Sequence, residues 1–557
     1  MHVPLRTLRS RSVAALAATA LAAPLLLAST ATAGESGHSG PRPGKGTGKE
    51  GDKLARHLVE HTSGKNALTH LTALHKIAEA SGGNRSAGSQ GHERSAEYAA
   101  RLLKKAGYSV SYETFEFTFR KTLAEKLSVL TPEQRDIPLT LMTYTKSTPE
   151  GGLKAPLVAA PADADGSSGC EAADYAGGDY RGKIALIERG ACSFTQKQAA
   201  AADAGAAGAV IYNNVAGALN GTLGAPEAAR IPTGGISQAD GKALAELAAK
   251  GGATVNLEVR EFQEQRTTPN VIAETKGGDP DNVVMLGAHL DSVPEGPGIN
   301  DNGSGSAGIL EAALQFAKAG HQGTRSHQAH RARPVNKVRF ALWSAEELGL
   351  LGAEDYVGRL PAAERKKIAL YLNFDMIASP NYGAFVYDGD DSDGTGSGPG
   401  PEGSAKLEKD LAAFLKTRGL TTRGTDFDGR SDYGPFIAAG IPSGGTFTGA
   451  EGIKTAEQQK LWGGRAGAAY DGCYHQSCDG MKNIDRRAFD AHVKAIANAV
   501  GHYAWDTTGL PATAPKPPAS RPKSHADAPG AATASDAYNS SSLNAGSGPY
   551  KGRWLVR

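Results

Sequence analysis

His289 and Asp291 follow an apolar run, Val283, Val284, Met285 and Leu286, that reads as a buried strand of a parallel sheet. Open α/β sheets place their ligands at the carboxyl ends of such strands. A Pro- and Gly-rich loop then presents Asp301, and a helix follows through Ile309, Leu310, Leu314 and Phe316. HxD and an NDNGSG turn each arise by chance, so this stretch alone is as much a loop as half of a metal site. Two further runs weigh against chance. Residues 338–343 end in Ser344-Ala345-Glu346-Glu347, and residues 368–374 end in Asp375. With His475 in CYHQSCDG, the candidate donors are His289, Asp301, Glu347, Asp375 and His475.

Two imidazoles and three carboxylates suit zinc or a similar divalent ion. They exceed what one tetrahedral catalytic site uses while keeping a position open for water, so two metals bridged by one carboxylate are the economical solution. Glu346 is not needed as a ligand. Neighbouring residues at a strand end point in different directions, which makes Glu346 a general base where its neighbour binds metal; an exposed pair of glutamates is the alternative. Asp291 is placed to orient the His289 ring. Tyr474, inside the Cys473 to Cys478 clip, either donates to a developing oxyanion or simply packs, and residue type alone favours packing.

The elements that must carry these groups belong to a chain of 557 residues, long enough for two or three units. A hydrophobic content of 40% suffices for sizeable cores, and a net charge of +2 calls for neither nucleic acid nor an acidic partner. Arg6, Arg9 and Arg11, the apolar residues 13–28 and Ala31-Thr32-Ala33 form a signal peptide over residues 1–33, too short in its apolar part for a membrane anchor. The mature protein is expected to be secreted, away from membranes and monomeric. An oxidising compartment favours the local disulfides Cys170–Cys192 and Cys473–Cys478, and no CxxC spacing supports a cysteine-rich zinc site.

Residues 34–52 read as a disordered leader or pro-segment. Leu54, Leu58, Leu68, Leu71, Leu74 and Ile77 then take helical spacing, a second helix covers residues 93–106, and residues 108–119 alternate as a strand. Residues 125–264 differ in composition. Within them, YRGKIALIERGACSFTQKQAAAADAGAAGAVIYNN encodes strand, helix and strand, with no histidine to serve a metal. Residues 53–124 and 265–506 form the other unit. Residues 318–337 read as a solvated basic loop, since His321, His327 and His330 imply no ligand geometry. DGDDSDGTGSGPGPE, residues 388–402, does not match an EF-hand and reads as a surface loop. Residues 507–557 form a Pro-, Ala- and Ser-rich tail.

GAHLDSV, GINDNGSGSAGILE, SAEELGLLGAEDYV, LNFDMI, GRSDYGPF and CYHQSCD, in this order, resemble the M28 family of secreted dinuclear zinc aminopeptidases, and residues 125–264 resemble a protease-associated (PA) domain whose cysteines would be Cys170 and Cys192. The resemblance implies a three-layer α/β/α core with a mixed, mostly parallel sheet and an inserted α+β PA domain. It implies two zinc ions, one held by His289 and Asp375, the other by Glu347 and His475, with Asp301 bridging. It also implies Glu346 as general base, Tyr474 as transition-state stabiliser, Asp291 behind His289, and Arg430 in contact with peptide or product. Tyr433 stands where many relatives have histidine, which puts pocket detail in question. The expected reaction is removal of a large apolar N-terminal residue such as Leu from peptides with a free N-terminus. A carboxypeptidase of the same superfamily is the rival within the class, and a non-enzymatic binding protein is the rival outside it.

Overall fold

The structure is a computed structural model that describes residues 47–162, 166–321, 334–394 and 398–513. The expected signal peptide, most of the expected leader, the tail from residue 514 and the histidine-bearing residues 322–333 lie outside them. The first helix, α1 (Thr47–His61), begins inside the stretch expected as leader. Its glycines serve close packing: a side chain at Gly51 would meet the His502 carbonyl at 3.0 Å. Helix α2 (Gly64–Glu79) and helix α3 (Gln90–Lys105) follow, capped by the hydroxyls of Ser63 and Ser89.

Strand β1 (Ser109–Thr131) is far longer than the alternation of residues 108–119 indicated. It passes through β2 (Arg135–Ile137) and β3 (Leu139–Leu141) into a small sheet of β4 (Leu153–Ala159), β5 (Ile184–Glu188), β6 (Gly208–Tyr212) and β7 (Thr233–Ile236). These four strands run parallel to one another, with β3 antiparallel at the edge. The unit β5, α4 (Phe194–Asp203), β6 is the βαβ arrangement expected from residues 180–214, and α5 (Gln238–Ala249) covers the same sheet. Strand β8 (Thr254–Glu274) then returns antiparallel to the whole length of β1. The boundaries expected at 124/125 and 264/265 therefore fall inside a continuous two-stranded ribbon. The backbone ladder runs through both positions, with a register irregularity between Thr122 and Ala124.

One end of the ribbon pairs with β4 and the other joins the main sheet through β10 (Asn336–Trp343). Strands β9 (Asp279–His289), β10, β11 (Ile368–Phe374) and β14 (Ser443–Phe447) are parallel, and β12 (Phe385–Tyr387) and β13 (Arg423–Thr425) complete the edge, β12 antiparallel to β14. The order is β13-β12-β14-β11-β9-β10-β8. Alternate residues of β9 serve opposite layers. Val284, Leu286 and Ala288 join a core with Leu71, Leu103, Phe316 and Phe489, from α2, α3, α6 (Gly305–Phe316) and the helix Arg486–Tyr503. Met285 joins Trp343, Tyr356, Tyr371 and Phe436 on the other face, under α7 (Leu351–Arg359). This is the three-layer α/β/α fold with a mixed, mostly parallel sheet. Among the described residues no helix is long and apolar enough to cross a membrane.

Candidate metal centre

The register of the central strands sets Trp343 beside His289 and Asn373 beside Gly287, so β10, β9 and β11 end together. His289 Nε2 lies 3.2 Å from Asp301 Oδ1, 3.3 Å from Asp375 Oδ1 and 3.8 Å from Glu346 Oε2. His475 Nε2 lies 3.2 Å from Asp301 Oδ2 and 2.9 Å from Glu347 Oε2. All five candidate donors and Glu346 converge, and each oxygen of Asp301 faces a different imidazole. Asp291 Oδ1 stands 3.6 Å behind His289 Nδ1 and accepts from the Glu346 amide at 3.4 Å.

The backbone is bent to achieve this. Ala345 (φ 57°), Met376 (φ 46°) and His475 (φ 56°) are left-handed, beside Glu346, beside Asp375 and at a candidate donor respectively. For residues with a Cβ this costs on the order of 1 kcal/mol or more apiece, and it persists only where the surroundings fix it. Asp479 accepts from the amides of Asn300 and Asp301 at 2.9 and 3.0 Å, and Asn483 donates to both Asp471 and Asp479. Asn302 donates to the Phe374 carbonyl at 3.0 Å and accepts from the Met376 amide at 3.2 Å, tying the Asp301 loop to the end of β11. A buried chain of donors, Trp343 to Tyr371 to Asn373 to Ser431, ends on Asp375 Oδ2 at 2.5 Å. The other oxygen of Asp375 is thereby left to face His289.

Arg85 went unrecognised in the sequence. It is fully buried, and its guanidinium donates to the carbonyls of Leu290, Pro297 and Gly298, clamping the loop between His289 and Asp301. The stretch Gly82-Gly83-Asn84 reads as a surface turn, and only the buried loop opposite reveals the role of the residue after it. Asp432 was also missed. It is buried without a hydrogen-bond partner for either oxygen, next to Ser431 of the GRSDYGPF motif.

Tyr474 stacks on the His475 ring at 3.8 Å between centroids and receives a hydrogen bond from Arg430 at 3.2 Å. Arg430 in turn pairs with Glu451 at 2.9 Å. Burial pushes the Tyr474 phenol well above its ordinary range, so it keeps its proton at neutral pH. Tyr433 donates to Asp428 at 2.8 Å and lines a small pocket with Met376, Tyr387 and Phe447, beside Glu346 and Asp375. The disulfides Cys170–Cys192 and Cys473–Cys478 are both formed. In the acidic loop, Asp388 accepts from the amides of Ser392 and Asp393, Lys409 pairs with Asp390, and Asp388, Asp390 and Glu408 each bring an oxygen within 4.8 Å of the others.

The site carries more negative charge than its protein cations offset. Burial pushes Glu347 up to about 7 and Glu346 well above the carboxylate range. Burial lowers His475, yet Glu347 and Asp301 outweigh it and raise the imidazole to about 11. His289 Nε2, Glu347 Oε1 and Asp375 Oδ1 are buried with no hydrogen-bond partner. Two sets of borderline and hard donors, His289 with Asp301 and Glu347 and His289 with Glu346 and Asp375, each lie within 4.8 Å of one another, and such sets fit divalent metal. Donors of this kind, gathered at the ends of three strands, make this a candidate metal centre.

The comparisons agree. The model of peptidase family M28 matches residues 270–500 and that of the PA domain residues 153–244. Leucine aminopeptidase 2 of Trichophyton rubrum is 45% identical over 433 residues, 78% of this chain and 82% of that protein. An aminopeptidase of Pseudomonas aeruginosa is 44% identical over 449 residues, 78% of this chain and 79% of that protein. The solved zinc aminopeptidase of Bacillus subtilis superposes with a TM-score of 0.51 at 26% identity, covering 79% of this chain and 94% of that one. The chain belongs to peptidase family M28 and carries a PA domain. It is a peptidase.

Proposed function

We propose that this protein is a secreted aminopeptidase that uses two zinc ions to release large apolar residues from the N-termini of peptides. The observation that carries the reading is the placement of Asp301, one oxygen 3.2 Å from His289 and the other 3.2 Å from His475. A single carboxylate divided between two imidazoles is what a bridging ligand requires. His289 and Asp375 would hold one zinc, Glu347 and His475 the other. When bound, zinc polarises the scissile carbonyl and lowers the pKa of the attacking water.

The remaining work falls to this chain's own side chains. Glu346, whose burial strengthens its carboxylate as a proton acceptor, accepts the water proton and returns it to the leaving amine. Tyr474 Oη donates to the oxygen on which charge develops, and Arg430 holds the phenol in place. The free α-ammonium of the substrate pairs with the excess negative charge around Glu346 and Asp375, which favours an N-terminus over a C-terminal carboxylate. The aromatic and apolar wall of Met376, Tyr387 and Phe447 supports a large apolar first residue, in keeping with the name of the Trichophyton relative. Residues 1–33 and the two disulfides support export.

Chelation tests the reading. The metal-free protein is expected to be inactive on a leucine arylamide, and activity should rise until about two equivalents of zinc per chain are bound. Full recovery at about one equivalent would overturn the two-ion account.

A further inference from the structure

The metal centre opens into a cleft of about 570 Å³ whose opposite wall belongs to the ribbon and the inserted domain. The floor is Glu346, Glu347, Tyr474 and His475, and the roof includes Arg120, Thr122, Glu125, Thr140, Thr143 and Asn220. The smaller pocket that would take the first side chain meets this cleft at the same floor residues. On the proposed aminopeptidase reading, on which this inference rests, the N-terminus ends at Glu346 and Asp375. The rest of the peptide must then leave beneath the roof.

The roof is polar, and most of its charge is already engaged. Glu125 accepts from the Leu141 amide at 3.1 Å, and Glu261 accepts from the Tyr144 amide at 3.2 Å and from Gln263 at 2.8 Å. Arg120 differs. Its guanidinium lies over the Tyr144 ring at 4.9 Å and donates to Glu261 at 3.4 Å through one nitrogen, while its Nε has no partner. A guanidinium fork with donors to spare suits the carbonyl oxygens of an extended peptide. Arg120 sits on β1 opposite Gln263 of β8, in the stretch where the ladder between the two strands is continuous, so its distance from Glu346 is fixed by backbone hydrogen bonds.

We infer that the roof formed by the ribbon and the inserted domain is a binding site for the peptide chain downstream of the scissile bond, with Arg120 of the ribbon contacting its main-chain carbonyls. The peptidase would thus favour peptides over single-residue substrates, and Arg120 would set that preference.

The test compares Leu-Gly-Gly amide, which has no free carboxylate, with leucine p-nitroanilide. In wild type and in Arg120→Ala, kcat and KM are measured for both, the arylamide rate also reporting on folding. The ratio of kcat/KM, tripeptide amide over arylamide, is expected to fall about tenfold in Arg120→Ala, chiefly through KM, and to recover in part in Arg120→Lys. An unchanged ratio, whether both rates hold or both fall together, would overturn the inference and leave the aminopeptidase reading standing. Failure of wild type on both substrates would instead remove that reading, and this subsite with it.

Discussion

Glu346→Gln is expected to keep its metal and lose activity by a factor on the order of 10²–10⁴, the usual worth of a positioned general base. The substitution preserves shape and removes only the proton acceptor. Glu346 lies farther from His289 Nε2 (3.8 Å) than Asp301 (3.2 Å) or Asp375 (3.3 Å) does, as a group facing the water rather than the metal should. Its amide contact to Asp291 belongs to the backbone and survives the change. The measurement is kcat on a leucine arylamide together with zinc content by elemental mass spectrometry. Activity near wild type would sink the base assignment. Activity lost together with zinc would make Glu346 a ligand, a role its proximity to His289 and Asp375 makes worth testing.

Asp301→Ala is expected to lower zinc content from about two ions per chain to below about one, and to abolish measurable turnover. Within 4.0 Å Asp375 meets His289 and Glu347 meets His475, whereas Asp301 meets both imidazoles. Its removal therefore strips a ligand from both ions at once and leaves His289 and His475 without the carboxylate between them. Asp301→Asn, which keeps the amide contact to Asp479 and the shape of the loop, separates loss of charge from loss of fold. Zinc retained at wild-type stoichiometry in both variants would refute the bridging role.

The candidate donors were legible because each ends a short apolar run or sits in a compact polar motif. Buried parallel strands are uniformly hydrophobic, so the first charged residue after one stands out, as His289, Glu346 and Asp375 do. What fixes those donors was not legible. Arg85 works by donating to carbonyls of a loop some two hundred residues away, and no local pattern announces a buried arginine. Asp479 and Asn302 lay inside recognised motifs, but their partners are backbone amides and carbonyls that only the fold brings near. The full length of the ribbon was hidden for a related reason. Its middle is exposed on both strands, and without a buried face the period-two signal fades while the hydrogen-bond ladder goes on. The helix at Thr47–His61 was hidden by glycines, whose use there is to let the start of the chain approach the helix Arg486–Tyr503.

The central claim is that this metal centre acts at a free N-terminus. The direct measurement is the rate of leucine release from a Leu-initiated peptide against the same peptide N-acetylated, each with and without a metal chelator. Release is expected from the free amine only, abolished by the chelator. Equal cleavage of both peptides would contradict it and move the reaction to the C-terminus or the chain interior.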